Sequence, residues 1–371
     1  MKVRYSYLPQ QFADIDDLLA QIKVLVQTGD FTLGNALTEF ESRFARLIGS
    51  AHAVGVGSGT DAIKRSLKAL GVGHGDEVIT AANTFIATVG AIAELGARPV
   101  FVDCTDTFCL DVSQVPAAIT KKTRAIVPVH YTGYMTDMAQ LVPLAEAHHL
   151  PIVEDACQAI LAAQDGRKAG TWGQTGAFSL HPLKNLNVWG DGGVIVTSND
   201  KLATTLRLLR NHGMRNRDEI AVLGYNSRLD TLHAVVGNWL IGSTEEITAQ
   251  RIANAAHYDQ GLGRLPQIRI PSRAGSARRV FHLYTVMAQE RDALLDHCLA
   301  RGIEAKVHYP IPVYLQEGLR VLGHQKGDFP RADFQAANGI SFPCDQHLSR
   351  AEQDYVIATV SEFYAGRGSR G

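Results

Sequence analysis

Short apolar runs alternate with amphipathic stretches over residues 52–197, and this alternation is the clearest pattern in the chain. Short apolar runs are typical of buried strands, and the amphipathic stretches between them are typical of helices. Their repeated alternation favours a mostly parallel sheet that is covered by helices on both faces. We predict strands at Ala53–Val56, Glu77–Thr80, Pro99–Asp103, Ala125–Val129, Ile152–Glu154, Ala177–Leu180 and Val194–Thr197, and helices at Asp61–Leu70, Phe85–Leu95 and Met138–His149.

The second half of the chain has a different order of elements. Its first part, Asp230–Gly261, has the pattern of one or two long helices. The mixture that follows is typical of a second, smaller αβ domain, so we predict a large domain over residues 1–247 and a small C-terminal domain over residues 248–371. The elements predicted in this small domain are strands at Val280–Met287 and Glu304–Val307 and helices at Arg291–Arg301 and Ser349–Tyr364.

Composition and charge exclude several classes of partner. Of the 371 residues, 46% are hydrophobic and 20% are charged, and the formal net charge is −1. Such a small charge creates no overall field that would attract nucleic acid or an anionic membrane. No apolar run is long enough to span a bilayer, and residues 1–17 lack the apolar region of a secretory signal. We therefore expect neither nucleic acid nor a membrane as a partner.

The cysteines bear on the compartment and on metal binding. They are odd in number and lack the Cys-x-x-Cys pairs of a zinc site. A reduced, cytoplasmic protein without a metal site is the simplest interpretation. The residues are Cys104, Cys109, Cys157, Cys298 and Cys344.

Polar residues lie at the ends of several predicted strands. Asp155 directly follows the strand at 152–154, Ser179 lies near the end of the strand at 177–180, and the turn Ser58–Thr60 follows the strand at 53–56. Ligands of open parallel sheets gather at the carboxyl ends of the strands. These residues are therefore candidates for one binding site.

Lys184 lies in a turn-rich segment between the last two predicted strands of this region. A loop lysine is ordinarily exposed to solvent, and an acid that ends a strand, such as Asp155, ordinarily caps a helix. The alternative is chemical. Pyridoxal phosphate needs a lysine for its Schiff base, an acid for its pyridinium nitrogen and a polar pocket for its phosphate. For such a role the pKa of the lysine must be lowered by burial or by a nearby cation.

The glycine-rich turn Gly55–Thr60 follows a predicted strand and opens a helix. Its spacing is GxGxGT rather than GxGxxG, and the next strand ends at Thr80 without an acid, which disfavours a dinucleotide-binding oxidoreductase. The turn is either a bare glycine turn or a phosphate site, where free amides at the helix N-terminus and the Thr60 hydroxyl bind an anion. Phe85 opens another predicted helix, where it either joins the core or stacks on the face of a cofactor.

Several polar residues in turn-like contexts near strand ends are weaker candidates for substrate contacts. Each of them alone carries little information. They are His130, Tyr131, Arg228, His308 and Tyr309.

Taken together, these segments resemble the DegT/DnrJ/StrS family of sugar aminotransferases, which are fold type I pyridoxal-phosphate enzymes. The resemblance covers nearly the whole chain, and its motifs are specific in combination although none is specific alone. The matching segments are GSGTDAI at 57–63, NTFIATVGAI at 83–92, PVHYTG at 128–133, VEDACQA at 153–159, FSLHPLKNLNVWGDGGVIVT at 178–197, RNHGM at 210–214, GYNSRLDTLHAVVG at 224–237 and HYPIPVY at 308–314.

The resemblance implies a fold and a set of site residues. The fold is α/β, with a mostly parallel mixed sheet flanked by helices in the large domain and a smaller C-terminal αβ domain. Lys184 would form the Schiff base with pyridoxal phosphate and move protons, and Asp155 would pair with the pyridine nitrogen. The other implied contacts are Gly59, Thr60 and Ser179 at the phosphate, Gln158 near the ring hydroxyl, Phe85 on the ring and Asn226 reaching across a dimer interface to the partner's phosphate.

The resemblance also implies an activity. A homodimer with shared active sites would move an amino group from glutamate, or glutamine, to a keto sugar linked to a nucleotide in amino-sugar biosynthesis. A keto sugar or cyclitol without a nucleotide is the alternative substrate. Some family members carry histidine in place of the lysine and act as dehydratases, so Lys184 favours amino transfer. A dehydratase and a non-catalytic regulator that binds cofactor or sugar are the alternative functions.

Overall fold

The computed structural model describes residues 1–273 and 275–368. Within these residues, no helix combines the length and the apolar character that crossing a membrane requires. The α-helices are α1 (Leu8–Gln11), α2 (Asp16–Thr28), α3 (Asn35–Ile48), α4 (Gly59–Ala69), α5 (Ile86–Ala93), α6 (Val115–Ala118), α7 (Met138–Ala147), α8 (Asp200–Arg210), α9 (Thr231–Leu240), α10 (Thr244–Leu262), α11 (Arg291–Ala300), α12 (Pro330–Asn338) and α13 (Arg350–Gly368). The strands are β1 (His52–Val56), β2 (Glu77–Ala81), β3 (Arg98–Val102), β4 (Thr123–Val127), β5 (Val153–Asp155), β6 (Ala163–Gln164), β7 (Arg167–Lys168), β8 (Thr175–Ser179), β9 (Gly193–Thr197), β10 (Ile268–Arg269), β11 (Tyr284–Ala288) and β12 (Gly339–Phe342).

A large sheet forms the centre of the N-terminal part. Strands β1, β9, β8 and β5 pair in that order, and β4, β2 and β3 pair in parallel beside them. The two groups are joined because Asp155 N donates to Pro128 O at 2.9 Å and His130 N donates to Asp155 O at 3.0 Å. Among the described strands of this sheet, β9 alone runs opposite in direction to the others. The prediction of a mostly parallel mixed sheet is therefore confirmed.

Helices cover both faces of this sheet because its strands are apolar on both sides. Val194 and Val196 of β9 pack into a core with α3 and α9, whereas Ile195 between them packs on the opposite face with α4 and α8. This alternation follows from the two-residue period of a strand. The double cover leaves the strand ends, rather than the faces, free to form a site.

The C-terminal part has its own antiparallel sheet in the order β10-β11-β12. Helices α10, α11 and α13 pack on it around a second core, to which the N-terminal residues Val3 and Tyr7 also contribute. Val3 reaches this core because it pairs with Ile303 in a parallel bridge. Residue 247 lies inside α10, and the division at residues 247 and 248 stays a prediction.

One predicted strand of this part is wrong. Over Glu304–Val307 the chain makes only a single bridge, in which Lys306 N donates to Ser341 O at 3.0 Å and Ser341 N donates to Lys306 O at 2.8 Å. The chain then leaves β12, and its next residues, beginning with His308, line a cavity instead of extending the ladder.

Candidate active site

A cavity of about 350 Å³ lies where the carboxyl ends of β5 and β8 meet the N-terminus of α4. Its walls come from both halves of the fold. From the sheet side come Ser58, Gly59, Thr60, Asp155, Gln158, Ser179 and Lys184, and from the opposite side come Tyr5, Arg251, His282, Lys306, His308 and Tyr309.

The N-terminus of α4 forms one end of the cavity. Ser58 caps the helix by accepting a hydrogen bond from Asp61 N at 3.1 Å. A Cβ added to Gly59 would lie 2.8 Å from Ser179 Cβ and 2.9 Å from Cys157 Sγ, so only glycine fits there. The first-turn amides have no partner within the helix, and the helix dipole favours an anion at this end. With the hydroxyls of Thr60 and Ser179, this end is suited to a phosphate.

Asp155 is the last residue of β5 and is 6% exposed. Its Oδ2 accepts a hydrogen bond from Thr88 Oγ1 at 2.7 Å, and its Oδ1 accepts one from Cys157 N at 3.1 Å. No α-helix begins after Asp155 before α8, so the helix-capping alternative is wrong. The carboxylate is fixed in orientation at the cavity wall, where it can pair with a cationic ring nitrogen.

Lys184 enters the cavity from the segment between β8 and β9. Its backbone is held because its N donates to His181 O at 2.8 Å and Asn187 Nδ2 donates to its carbonyl oxygen at 2.9 Å. Burial lowers the pKa of its amine, although Cys157 and Asp155 act in the opposite direction. A lowered pKa increases the share of neutral amine, which is the form that attacks a carbonyl. Lys184 is thus not the exposed loop lysine of the alternative interpretation.

Phe85 lies at the mouth of the cavity and is 48% exposed, so the interpretation as a core residue is wrong. Its ring centroid is 5.6 Å from that of Tyr309. Gln158 lies on the wall near Asp155, and its Oε1 accepts a hydrogen bond from Thr132 N at 2.7 Å. The exposed aromatic face and the anchored amide are both available to a planar ligand.

These groups fit pyridoxal phosphate. The helix end suits its phosphate, Asp155 suits its pyridine nitrogen, the Lys184 amine suits its aldehyde and Phe85 offers an aromatic face. The fit rests on the hydroxyl donors of Thr60 and Ser179 and on Gly59, which leaves room beside Ser179.

Comparison with known proteins identifies the fold and the chemistry. The family model described as the DegT/DnrJ/EryC1/StrS aminotransferase family matches residues 13–361. The chain belongs to this family. It is a pyridoxal-phosphate-dependent aminotransferase with the type I fold.

Individual relatives cover almost the full length of this aminotransferase. The dTDP-3-amino-3,4,6-trideoxy-alpha-D-glucose transaminase of Streptomyces venezuelae is 41% identical over 352 residues, which is 95% of this chain and 92% of the relative. A pleiotropic regulatory protein of Geobacillus stearothermophilus is 39% identical over 370 residues, covering 98% of this chain and 99% of its own. The crystal structure of S. venezuelae DesV with a ketimine intermediate superposes with a TM-score of 0.95 at 40% identity, covering 98% of each chain.

Two predicted substrate residues of the aminotransferase do not reach the cavity. His130 is fully buried, with Nε2 2.8 Å from Glu154 Oε2, and its Nδ1 accepts a hydrogen bond from Thr136 N at 3.2 Å. Tyr131 is also fully buried, and its hydroxyl donates to His308 O at 3.1 Å. The prediction of substrate contacts is corrected for both, because each directs its polar group to a partner behind the wall.

Arg228 and Asn226 lie outside the cavity of their own chain. Arg228 Nη1 donates to Asn211 Oδ1 at 3.2 Å and does not line the cavity of its own chain, and its predicted contact with substrate stays a prediction. Asn226 is exposed and forms a backbone bridge with Asn211. Its predicted reach to a partner's phosphate stays a prediction.

His308 and Tyr309 line the cavity, and their predicted contact with substrate stays a prediction. Burial, followed by the positive charges of Lys306 and Lys184, lowers the pKa of His308 to about 4. Its Nδ1 lies 3.0 Å from Ser341 Oγ. The imidazole is therefore neutral near neutral pH and can serve the site as a hydrogen-bonding group rather than as a cation.

His282 is a cavity residue that the sequence did not single out. Its Nε2 lies 3.5 Å from Lys184 Nζ, and burial together with the charge of Lys184 lowers its pKa well below the ordinary value. No local signal marked this residue, because it precedes β11 in the other half of the fold and meets Lys184 only through tertiary packing.

Proposed function

We propose that this enzyme transfers an amino group from glutamate, or glutamine, to a keto sugar that is linked to a nucleotide. The observation that carries the proposal is the joint placement of Lys184, Asp155 and the α4 N-terminus around one cavity. The transaminase relative from S. venezuelae, named for a dTDP-linked amino sugar, supports this class of substrate. A cytoplasmic location fits a biosynthetic enzyme of this class.

The proposed site residues divide into binding and chemistry. Bound pyridoxal phosphate supplies an aldehyde that carries the amino group and a ring that accepts electrons from the substrate carbon. Gly59, Thr60 and Ser179 would hold its phosphate, and Phe85 would offer an aromatic face to its ring. Asp155 stabilises the protonated pyridine nitrogen through its fixed carboxylate. Gln158 would contribute to orienting the ring through its anchored amide.

Lys184 moves the proton in each half of the reaction. Its neutral amine would accept the proton that leaves the α-carbon of the donor, and the resulting ammonium would deliver that proton to the C4′ atom of the cofactor; the direction would reverse in the second half-reaction. Burial supports this exchange because it lowers the pKa of the amine toward neutrality. Asp155 on the sheet side and His282 on the opposite side both line the cavity that Lys184 enters, and His282 Nε2 lies 3.5 Å from Lys184 Nζ.

Isotope transfer tests the proposal. The holoenzyme is mixed with glutamate labelled at its amino nitrogen and with keto sugars linked to dTDP or UDP, and the products are analysed by mass spectrometry. We expect a labelled amino sugar and 2-oxoglutarate in equal amounts. Loss of water from the sugar without nitrogen transfer would support the dehydratase instead. Transfer only to free keto sugars or cyclitols would exclude a nucleotide-linked substrate.

We further propose a homodimer in which Asn226 completes the partner's phosphate site. The exposure of Asn226 beside its own fold supports this role. Subunit mixing tests it. Lys184→Ala and Asn226→Ala homodimers are each expected to be impaired, whereas heterodimers of the two contain one fully intact site. Recovery of up to half of the wild-type activity per heterodimer is expected, and no recovery after demonstrated subunit exchange would contradict the shared site.

A non-catalytic regulator is the second candidate, because the relative from G. stearothermophilus is named a pleiotropic regulatory protein. The two functions differ in their response to glutamate. An enzyme converts glutamate to 2-oxoglutarate with loss of the visible absorbance of its bound cofactor, whereas a passive binder keeps both unchanged.

A further inference from the structure

Lys306 is a cation on the cavity wall that has no carboxylate partner among the described residues. The other cationic side chains of the wall are engaged. Lys184 faces Asp155, and Arg251 donates to the carbonyl oxygens of Phe281 and His282 at 3.3 and 3.4 Å. Arg251 Nη2 also lies 3.6 Å from Asp345 Oδ2.

The position of Lys306 is fixed from two sides. Its backbone exchanges two hydrogen bonds with Ser341, at 3.0 and 2.8 Å. Its ammonium lies 4.4 Å from the centroid of the Tyr5 ring, which is a cation–π distance. Tyr5 is itself held because its N donates to Glu304 Oε2 at 2.9 Å. Lys306 is exposed to solvent, but its ammonium has an aromatic neighbour and the residue lies on the cavity wall.

The histidines of this wall do not compete for an anion. Burial lowers the pKa of both His308 and His282. At His308 the positive charge of Lys306 lowers the pKa further. Both imidazoles are therefore neutral near neutral pH. On this side of the cavity the available positive charge is carried by Lys306.

The proposed reaction brings anionic groups into the cavity besides the cofactor phosphate. Glutamate has two carboxylates, and a nucleotide sugar has a diphosphate. We infer that Lys306, supported by Tyr5, is the anion-binding residue of the substrate part of the cavity and donates a hydrogen bond to a carboxylate or phosphate oxygen of the substrate. This inference rests on the proposed function, because that function supplies the two anions.

Binding measurements with unreactive anions test the inference without turnover. Glutarate represents the two carboxylates of the donor, and dTDP and UDP represent the diphosphate of the sugar nucleotide. The dissociation constant of each is measured by calorimetry for the wild-type holoenzyme, for Lys306→Met and for Lys306→Arg. Lys326→Met is the matched control, because Lys326 is exposed and lies away from the cavity wall.

We expect Lys306→Met to weaken the binding of either glutarate or the nucleotides by about tenfold, as for the loss of one charge-assisted hydrogen bond. Lys306→Arg should retain most of that affinity, and Lys326→Met should behave as wild type. Weaker binding of glutarate would assign Lys306 to the amino-donor site, and weaker binding of the nucleotides would assign it to the acceptor site. Equal affinities of Lys306→Met and wild type for every probe, or no binding of any probe by wild type, would overturn the inference.

The two proposals can fail separately. If the wild-type enzyme binds a probe through Lys306 but transfers no labelled nitrogen, the proposed function is wrong and the anion site stands. If nitrogen transfer occurs and Lys306→Met changes neither the KM for glutamate nor the KM for the sugar nucleotide, the anion site is wrong and the function stands.

Discussion

The two walls of the cavity are built in different ways. The sheet wall carries Asp155 and Ser179 at strand ends and Gly59 at a helix start, all within one continuous α/β unit. The opposite wall brings together Tyr5 and Lys306, from the two ends of the chain. The proposed cofactor residues thus lie mostly at strand ends and a helix start, whereas the proposed substrate residues come together only through tertiary packing of distant segments.

The largest expected effect is at the sheet wall. Lys184→Ala removes the amine that we propose binds the cofactor and moves protons, and turnover should fall by about 10³-fold or more. Borohydride reduction of the holoenzyme should add a phosphopyridoxyl group to the peptide that contains Lys184, and the variant should show none. Lys201→Ala, at an exposed position of α8, is the control that should keep both properties.

Asp155→Asn should have the next largest effect. The amide keeps the shape of the side chain but removes the negative charge that stabilises the pyridine nitrogen, so turnover should fall by about 10²-fold. Rates of both half-reactions measure this. Thr88→Val, which removes one hydrogen bond to the carboxylate, should cost less. Equal rates for Asp155→Asn and wild type would show that the negative charge of Asp155 does not contribute to the reaction.

Gly59→Ala should weaken cofactor binding by about tenfold, because its Cβ would press on Ser179 and Cys157 at the phosphate end. The dissociation constant of pyridoxal phosphate measures the effect. Gly73→Ala is the matched control, since a Cβ at Gly73 meets no atom within 4 Å. Similar affinities for the two variants would show that the space beside α4 does not form the phosphate site.

The smallest effect concerns the opposite wall and the pH. The folded-state pKa of His308, about 4, lies below the ordinary value of 6.5, so its contribution to stability is present above pH 6.5 and is lost as the pH falls toward 4. His308→Gln should make the free energy of unfolding less dependent on pH in this window, by on the order of 1–2 kcal/mol after allowance for solvent screening. Denaturant titrations across this window measure it, with His148→Gln as an exposed control. If His308→Gln left the pH dependence of the free energy of unfolding unchanged, the burial of a neutral His308 ring would be contradicted.

The sheet wall could be predicted from the sequence because its residues follow recognisable strands. Asp155 ends an apolar run, and the glycine turn precedes an amphipathic helix, so local patterns placed both at one edge. The same logic failed for His130, whose side chain points behind the wall to Glu154 although its strand ends at the site. A strand end fixes the position of a residue, but the packing behind it decides the direction of the side chain.

The opposite wall could not be predicted in this way. Tyr5, His282 and Lys306 have no common local pattern, and their proximity depends on how the N-terminal segment and the C-terminal sheet pack against the large sheet. The predicted strand at 304–307 gave no reason to expect Lys306 at a cavity, although Lys306 lines one next to its bridge with Ser341.

The most direct test of the account is the rate of each half-reaction in single-turnover experiments with wild type and Lys184→Ala. One experiment follows the bound pyridoxal phosphate after addition of glutamate, and the other follows the pyridoxamine form after addition of a nucleotide-linked keto sugar. We predict that both rates fall together by about 10³-fold, because one amine moves the proton in both directions. A variant that keeps the wild-type rate in either half-reaction would contradict the central role of Lys184.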